Sequence, residues 1–197
     1  MTNLLPILYS CFFALMAFIS TWIVYVVILT IALRYNIVDQ PNARKLQRRP
    51  IPVLGGLTVF FGITVGIFGA IFIMGYSDLL PMYAALVIML VVGVSDDIYD
   101  LSPTLRFVIE IAVSLYFIYM CGFSLNDFHG LWGFHKIPDW LAIPLTIVSV
   151  VGIINAMNLI DGVDGYSSGF STLASILFSI IFLMSGYYSL EVLALVT

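Results

Sequence analysis

The stretch that decides the fold reads Trp140-Leu-Ala-Ile-Pro-Leu-Thr-Ile-Val-Ser-Val-Val-Gly-Ile-Ile-Asn-Ala-Met-Asn-Leu-Ile-Asp-Gly-Val-Asp-Gly165. Residues 140–159 carry no charge, and an apolar run of this length crosses a bilayer as a helix. Two amides at the end of this run and two carboxylates just after it stand at regular three-residue spacing, namely Asn155, Asn158, Asp161 and Asp164. Residues at this spacing are neighbours on a helix, so successive members of the series can contact one ligand. Because polar groups at the end of an apolar span are costly unless they bind something, we interpret the segment as a functional site.

The composition extends this pattern to the whole chain. Hydrophobic residues make up 62% of the 197 residues and charged residues only 9%, whereas soluble domains contain about 25% charged residues. This excludes a soluble globular protein and predicts an all-α, polytopic membrane helical bundle. Predominantly apolar runs, uncharged except for Arg106 and Glu110 in the fourth, predict about six transmembrane helices in a single membrane domain, at residues 7–33, 54–74, 80–95, 105–122, 140–159 and 170–189.

The distribution of basic residues predicts the orientation of these helices. Five of the seven lysines and arginines lie in the first predicted loop: Arg34, Arg44, Lys45, Arg48 and Arg49. Since cytoplasmic loops are enriched in Lys and Arg, this loop is predicted to be cytoplasmic and the N-terminus to lie outside. The loops at 34–53, 96–104 and 160–169 then share the cytoplasmic face, and these loops hold the polar clusters of the chain.

The first loop combines these cations with a restricted backbone. Pro41, Pro50 and Pro52 favour extended conformations, and Gly55-Gly56 allows a tight entry into the next span. One interpretation is a topology determinant that contacts anionic lipid headgroups. The other is a site for a phosphorylated substrate, which the prolines and glycines favour because a charge anchor needs no fixed geometry.

An acidic cluster follows the third predicted span. Asp96 and Asp97 precede Asp100 by four and three residues, so all three share a helix face if the span continues helically. Oxygen-rich clusters suit Mg²⁺, which commonly binds one or two carboxylates plus substrate phosphates. The alternative is a solvated loop in which Asp100 helps to start the next helix. Further along, Glu110 is placed to pair with Arg106 on the same helix.

Three motifs carry a resemblance to a known family. They are Pro41-Asn-Ala-Arg-Lys with Pro50-Ile-Pro and Gly55-Gly56, then Asp96-Asp97 with Asp100-Leu101, and finally the stretch from Asn155 to Gly165. In this order, across residues 38–169, they resemble the polyprenyl-phosphate N-acetylhexosamine-1-phosphate transferases of glycosyltransferase family 4. The similarity is greatest to the bacterial undecaprenyl-phosphate GlcNAc-1-phosphate transferases.

The resemblance implies a reaction and its participants. N-acetylhexosamine-1-phosphate would pass from a UDP-sugar to undecaprenyl (polyprenyl) phosphate with release of UMP, as the first membrane step of cell-envelope polysaccharide biosynthesis. The implied partners are UDP-N-acetylhexosamine, a polyprenyl phosphate lipid and the bilayer, with no nucleic acid, and a homodimer is one assembly it allows. The implied cofactor is Mg²⁺, with Mn²⁺ as an alternative, and the implied location is the bacterial inner membrane with the active site facing the cytoplasm.

The motif matches also imply roles for individual residues. Asp96 and Asp97 match an acidic pair that handles Mg²⁺ or positions the lipid phosphate, and Asn158 matches a Mg²⁺ ligand. Asp161 and Asp164 match carboxylates of the nucleotide-sugar and catalytic motif. The candidate site then comprises catalytic Asp96, Asp97, Asp161 and Asp164; metal-binding Asn158 and Asp97; and substrate-binding Arg44, Lys45, Arg48, Arg49, Asn155 and Asp100.

The chain departs from the family pattern in two places, and two other functions remain as alternatives. Gln47 stands where the family often has histidine, so no imidazole role is expected there. Family members continue through further spans, so we expect this chain to be an N-terminal portion that is inactive or nearly so by itself. The alternatives are a membrane transporter or channel subunit and an inactive truncated membrane scaffold. Acids at the ends of spans, rather than near the bilayer midplane, favour the enzyme over the transporter.

Overall fold

Helices dominate the computed structural model, which describes residues 4–34, 38–39, 51–52, 55–160 and 165–197. Within these ranges there are seven α-helices: α1 (Leu4–Arg34), α2 (Gly55–Met74), α3 (Leu79–Tyr99), α4 (Pro103–Cys121), α5 (Asp139–Ile160), α6 (Tyr166–Ser185) and α7 (Tyr188–Val196). Two two-residue strands, β1 (Val38–Asp39) and β2 (Ile51–Pro52), pair antiparallel, with Val38 opposite Pro52.

The helices α1 to α6 are each long and apolar enough to cross a membrane. They expose large apolar side chains, among them Phe72, Trp140 and Leu159. Contact of this apolar surface with water would be unfavourable, whereas contact with lipid tails is not. These observations confirm the predicted all-α polytopic bundle with six spans.

Several helix ends differ from the predicted limits. α3 continues past residue 95 to Tyr99, so Asp96 and Asp97 are helical. α6 begins at Tyr166 and ends at Ser185, where Gly186 takes a left-handed conformation with φ of 78°. Hydropathy marks the apolar part of a span, whereas the backbone hydrogen bonds that end a helix extend into the polar flanks.

Contacts divide the chain into two compact units, and the first comprises Met1–Tyr83 and Asp161–Thr197. In this unit α1 packs against α2, and α7 packs against α1, α2 and α6. Gly62 on α2 allows close approach to α1, because a Cβ at this position would overlap the hydroxyl of Thr21. Glu191 on α7 is buried and accepts a 2.9 Å hydrogen bond from Ser10 Oγ.

The second unit comprises Ala84–Ile160, and its central contact is between α4 and α5. Ser102 caps α4, since its hydroxyl oxygen accepts a 3.3 Å hydrogen bond from the Leu105 N–H, and Pro103 occupies the first turn. The cap is therefore provided by Ser102 and not by Asp100. α4 ends at Gly122, which has a left-handed φ of 70°.

Candidate functional site

The acidic cluster lies at the C-terminal end of α3. Asp96 and Asp97 are in its last helical turn, Asp96 half-buried and Asp97 exposed. Asp100 follows the helix with a left-handed φ of 51°, and its N–H donates a 2.9 Å hydrogen bond to the Asp96 carbonyl oxygen. The three carboxylates are thus gathered within one turn of chain, but Asp100 does not continue the helix face of the other two.

Two donors hold the Asp96 carboxylate in place. Its Oδ1 accepts from the Leu101 N–H at 3.1 Å, and its Oδ2 accepts from Arg106 Nη1 at 2.8 Å. The ion pair joins α4 to the end of α3, and each of its two side chains is 23% exposed. The expected pairing of Arg106 with Glu110 is therefore wrong. The Arg-before-Glu order is the weaker one for a pair along a helix, and each of these side chains instead meets a partner outside α4.

Glu110 bonds to the first amide of the α5 series. Asn155 Nδ2 donates to Glu110 Oε2 at 2.5 Å and to the Val151 carbonyl oxygen at 2.9 Å. Glu110 is only 2% exposed, whereas Asn155 is half-buried. Both amide hydrogens are used within the protein, so Asn155 has only its carbonyl oxygen to offer to a ligand.

An open cleft of about 550 Å³ lies between α4 and α5. It brings together one guanidinium and two amides in an otherwise largely apolar setting. Its lining residues are Pro103, Thr104, Arg106 and Phe107 from α4 and Asn155, Asn158 and Leu159 from α5. The two amides predicted to act on one ligand therefore line the same cleft, and Arg106 adds a cation that could bind an anionic group of that ligand.

The remaining predicted site residues lie outside the part of the chain that the structure describes. These are the substrate-binding cations of the first loop and the two catalytic carboxylates after α5: Arg44, Lys45, Arg48, Arg49, Asp161 and Asp164. Their roles stay predictions.

The donor chemistry of the described residues is compatible with Mg²⁺. Asp97 and Asn158, the predicted metal ligands, are exposed and supply the carboxylate and amide oxygens that this ion prefers. Among the described residues, no group of three or more His, Cys, Asp or Glu side chains is placed to hold a metal. Mg²⁺ usually keeps several water ligands and binds substrate phosphates, so a small set of protein oxygens suits it.

Sequence reasoning did not assign Arg106 and Glu110 to the site. Both are ionisable residues within a predicted span, which is by itself a signal of function. Their partners, Asp96 and Asn155, were predicted site residues. The sequence therefore marked Arg106 and Glu110 as candidates for function, but it did not show which residues they contact.

Comparison with known proteins identifies the family. The sequence model described as glycosyl transferase family 4 matches residues 79–197, more than half of the chain, and this range contains α3 to α7 with the cleft. A probable undecaprenyl-phosphate N-acetylglucosaminyl 1-phosphate transferase of Bacillus subtilis (strain 168) is 31% identical over 183 residues, which are 92% of this chain and 51% of that protein.

Two further relatives have similar names. The undecaprenyl-phosphate alpha-N-acetylglucosaminyl 1-phosphate transferase of Yersinia pestis is 29% identical over 162 residues, 81% of this chain and 44% of that protein. The protein of the same name from Escherichia coli O157:H7 is 28% identical over 168 residues, 82% of this chain and 44% of that protein. The chain thus spans about half the length of the curated relatives it matches. The match over α3 to α7 shows that the chain belongs to glycosyl transferase family 4.

Proposed function

We propose that the protein transfers N-acetylhexosamine-1-phosphate from a UDP-sugar to a polyprenyl phosphate such as undecaprenyl phosphate, releasing UMP. The α4–α5 cleft carries the proposal, because it groups Arg106, Asn155 and Asn158 within the region that the family model matches. The names of the relatives, which are undecaprenyl-phosphate N-acetylglucosaminyl 1-phosphate transferases, support the acceptor and the transferred sugar.

In the proposed reaction, an oxygen of the lipid phosphate attacks the sugar-bearing phosphorus of the UDP-sugar. A new P–O bond forms to the lipid phosphate, and the bond to the uridine-bearing phosphate breaks, so that UMP leaves. A phosphomonoester has a second pKa near 6 and is mostly dianionic at pH 7. The acceptor therefore needs little further deprotonation, and the aspartates position substrate and metal rather than activate the nucleophile.

The residues of the cleft and its border would meet the needs of two converging anions. Arg106 would contribute positive charge at the cleft, and its ion pair with Asp96 would keep the guanidinium in place. Asp97 and Asn158 would hold Mg²⁺, which when bound offsets negative charge on the phosphates and on the leaving UMP. Asp161 and Asp164 would add catalytic carboxylates, and the cations of the first loop would bind phosphate.

We further propose that this site faces the cytoplasm of the bacterial inner membrane, with the N-terminus outside. The support is the concentration of basic residues in the segment between α1 and α2, together with the even number of helices that separates this segment from the α3–α4 connection. A cysteine introduced at Asn126, in the α4–α5 connection, should then react with a membrane-impermeant maleimide added outside spheroplasts. A cysteine introduced at Ser102 should react only after lysis, and the opposite pattern would reverse the orientation.

The transfer reaction is tested with membranes from cells that express the complete gene. They are incubated with radiolabelled UDP-GlcNAc, undecaprenyl phosphate and Mg²⁺, and labelled lipid is extracted and counted. We expect a labelled lipid diphosphate sugar and stoichiometric UMP. Absence of lipid product from every UDP-N-acetylhexosamine tried would reject the proposal.

Matched amide variants connect the activity to the cleft. Asn158→Ala should lower turnover about tenfold or more and raise the Mg²⁺ concentration needed for half-maximal rate, since it removes a proposed metal ligand. Asn126→Ala, at an exposed amide in the connection between α4 and α5, should leave both unchanged. Turnover that survives Asp161→Asn would remove that carboxylate from the catalytic set.

A further inference from the structure

Glu110 lies immediately behind the cleft without lining it. The residue is in the middle of α4 and is 2% exposed, and the cleft-lining residues include its partner Asn155 but not Glu110 itself. A carboxyl group buried within a membrane-crossing helix is expensive, and in membrane proteins such groups usually serve a function. Its hydrogen-bond partner indicates what that function is.

The two acceptors on Asn155 determine which way its amide is turned. The terminal torsion of asparagine is soft, so an amide in an open cleft adopts either orientation unless its neighbours distinguish nitrogen from oxygen. Glu110 Oε2 and the Val151 carbonyl oxygen are both acceptors, so both require the nitrogen on their side. The Val151 bond comes from α5 itself, whereas the Glu110 bond is the one supplied across the helix interface.

We propose that Glu110 is a positioning residue that acts through Asn155: it holds the side-chain amide so that its oxygen is the group available in the cleft. This inference rests on the proposed function and deepens it. The ligand of that oxygen is electropositive, either an O–H or N–H group of the UDP-sugar or Mg²⁺. Separate measurements with each ligand distinguish these two sources.

The experiment compares two substitutions at Glu110 in the purified complete protein. Glu110→Gln keeps an acceptor oxygen of nearly the same shape, while Glu110→Met keeps the length but removes the acceptor. Binding is measured by calorimetry for UDP-GlcNAc in the presence of EDTA, and separately for Mg²⁺ alone. We expect the affinities of Glu110→Gln to stay within about threefold of wild type. Glu110→Met should weaken the binding of one of the two ligands about tenfold, the size of effect expected when one hydrogen bond is lost.

Glu191 provides the matched control. It is likewise 2% exposed and likewise accepts a hydrogen bond, from Ser10 Oγ, but it belongs to the other compact unit. Glu191→Met should lower the unfolding temperature without changing either affinity. If Glu110→Met lowers the unfolding temperature but leaves both affinities at wild-type values, Glu110 is merely structural and the proposal is overturned.

A second variant keeps the proposal testable if Glu110→Met does not fold. Asn155→Ala removes the amide that Glu110 is proposed to hold, so this variant alone should weaken binding of the same ligand about tenfold. Wild-type affinities for both ligands in Asn155→Ala would overturn the proposal. Where Glu110→Met does fold, its effect should disappear in the Asn155→Ala background, and losses that simply add would also overturn the proposal.

These binding readouts separate the two proposals. Wild-type protein that makes lipid product while the Glu110 variants bind normally would reject the positioning role alone. Wild-type protein that binds UDP-GlcNAc or Mg²⁺, shows the Glu110 pattern and yet makes no lipid product would reject the transferase function alone. Wild-type protein that binds neither ligand and makes no lipid product would reject both.

Discussion

The ion pair between α4 and the end of α3 allows a quantitative prediction about how the acidic cluster is held. Arg106 Nη1 donates to Asp96 Oδ2 at 2.8 Å, and each side chain is 23% exposed. Arg106→Met keeps much of the apolar stem of the side chain but removes the guanidinium. Among the described contacts, the Asp96 carboxylate then retains only the hydrogen bond that it accepts from the Leu101 N–H.

The expected magnitude follows from the partial burial of the pair. Hydrogen bonds to charged groups contribute about 1.5–3 kcal/mol, while fully exposed ion pairs contribute about 0.2–1 kcal/mol. With roughly a quarter of each side chain exposed, solvent screening puts the coupling between these ranges, at about 1–1.5 kcal/mol. This corresponds to about a tenfold change in the unfolding equilibrium.

A double-mutant cycle isolates this coupling. Arg106→Met is measured in the wild-type background and in Asp96→Asn, whose oxygen still accepts from the Leu101 N–H, by denaturant unfolding of the purified protein in detergent. Arg106→Met should lower the free energy of unfolding by about 1–1.5 kcal/mol more in the wild-type background than in Asp96→Asn. Lys136→Met, at an exposed lysine between α4 and α5, should change stability by less than about 0.5 kcal/mol. Effects that add within about 0.3 kcal/mol would refute a stabilising ion pair.

Three further predictions concern other parts of the chain. Desolvation and then nearby negative charge raise the pKa of Tyr76 above its ordinary value near 10, so the wild type should lose stability as the pH rises above about 10. Tyr76→Phe should show a smaller loss in unfolding scans over that range, and identical slopes would contradict the shift. Gly62→Ala should destabilise the protein by about 1–3 kcal/mol, because the added Cβ would overlap the Thr21 hydroxyl. Gly93→Ala is the control, since a Cβ there meets open space and should not destabilise the protein. Equal unfolding temperatures for Gly62→Ala and the wild type would disprove the close approach of α1 and α2. Ser102→Ala should cost about 1 kcal/mol in denaturant unfolding through loss of the α4 cap, and no change would show that the cap is dispensable.

The helices were largely predictable from hydropathy, but their ends were not. Long, predominantly apolar runs leave a chain no low-energy alternative to a lipid-embedded helix, so the six spans follow from composition. The last turn of α3, by contrast, contains Asp96 and Asp97 and carries no hydropathy signal. It is helical because backbone hydrogen bonds continue to the left-handed residue Asp100, which ends the helix.

The candidate site shows the same division. The three-residue spacing of Asn155 and Asn158 is a local property of one helix, and the structure places both residues on one cleft. Spacing along α4 also suggested that Arg106 pairs with Glu110, and there the local rule failed. Each residue found a partner on a different segment, Asp96 at the end of α3 and Asn155 on α5.

By itself, the sequence determined that this is a membrane protein, where its helices run, and which polar residues stand at the ends of its spans. These properties depend on apolar length and on neighbours within a few residues, which are visible in the chain. Only the tertiary structure decided that Glu110 holds Asn155, 45 residues away, and that Arg106 holds Asp96. Burial between packed helices makes an unpaired polar group costly, so each such group takes the nearest partner in space, wherever that partner lies in the sequence.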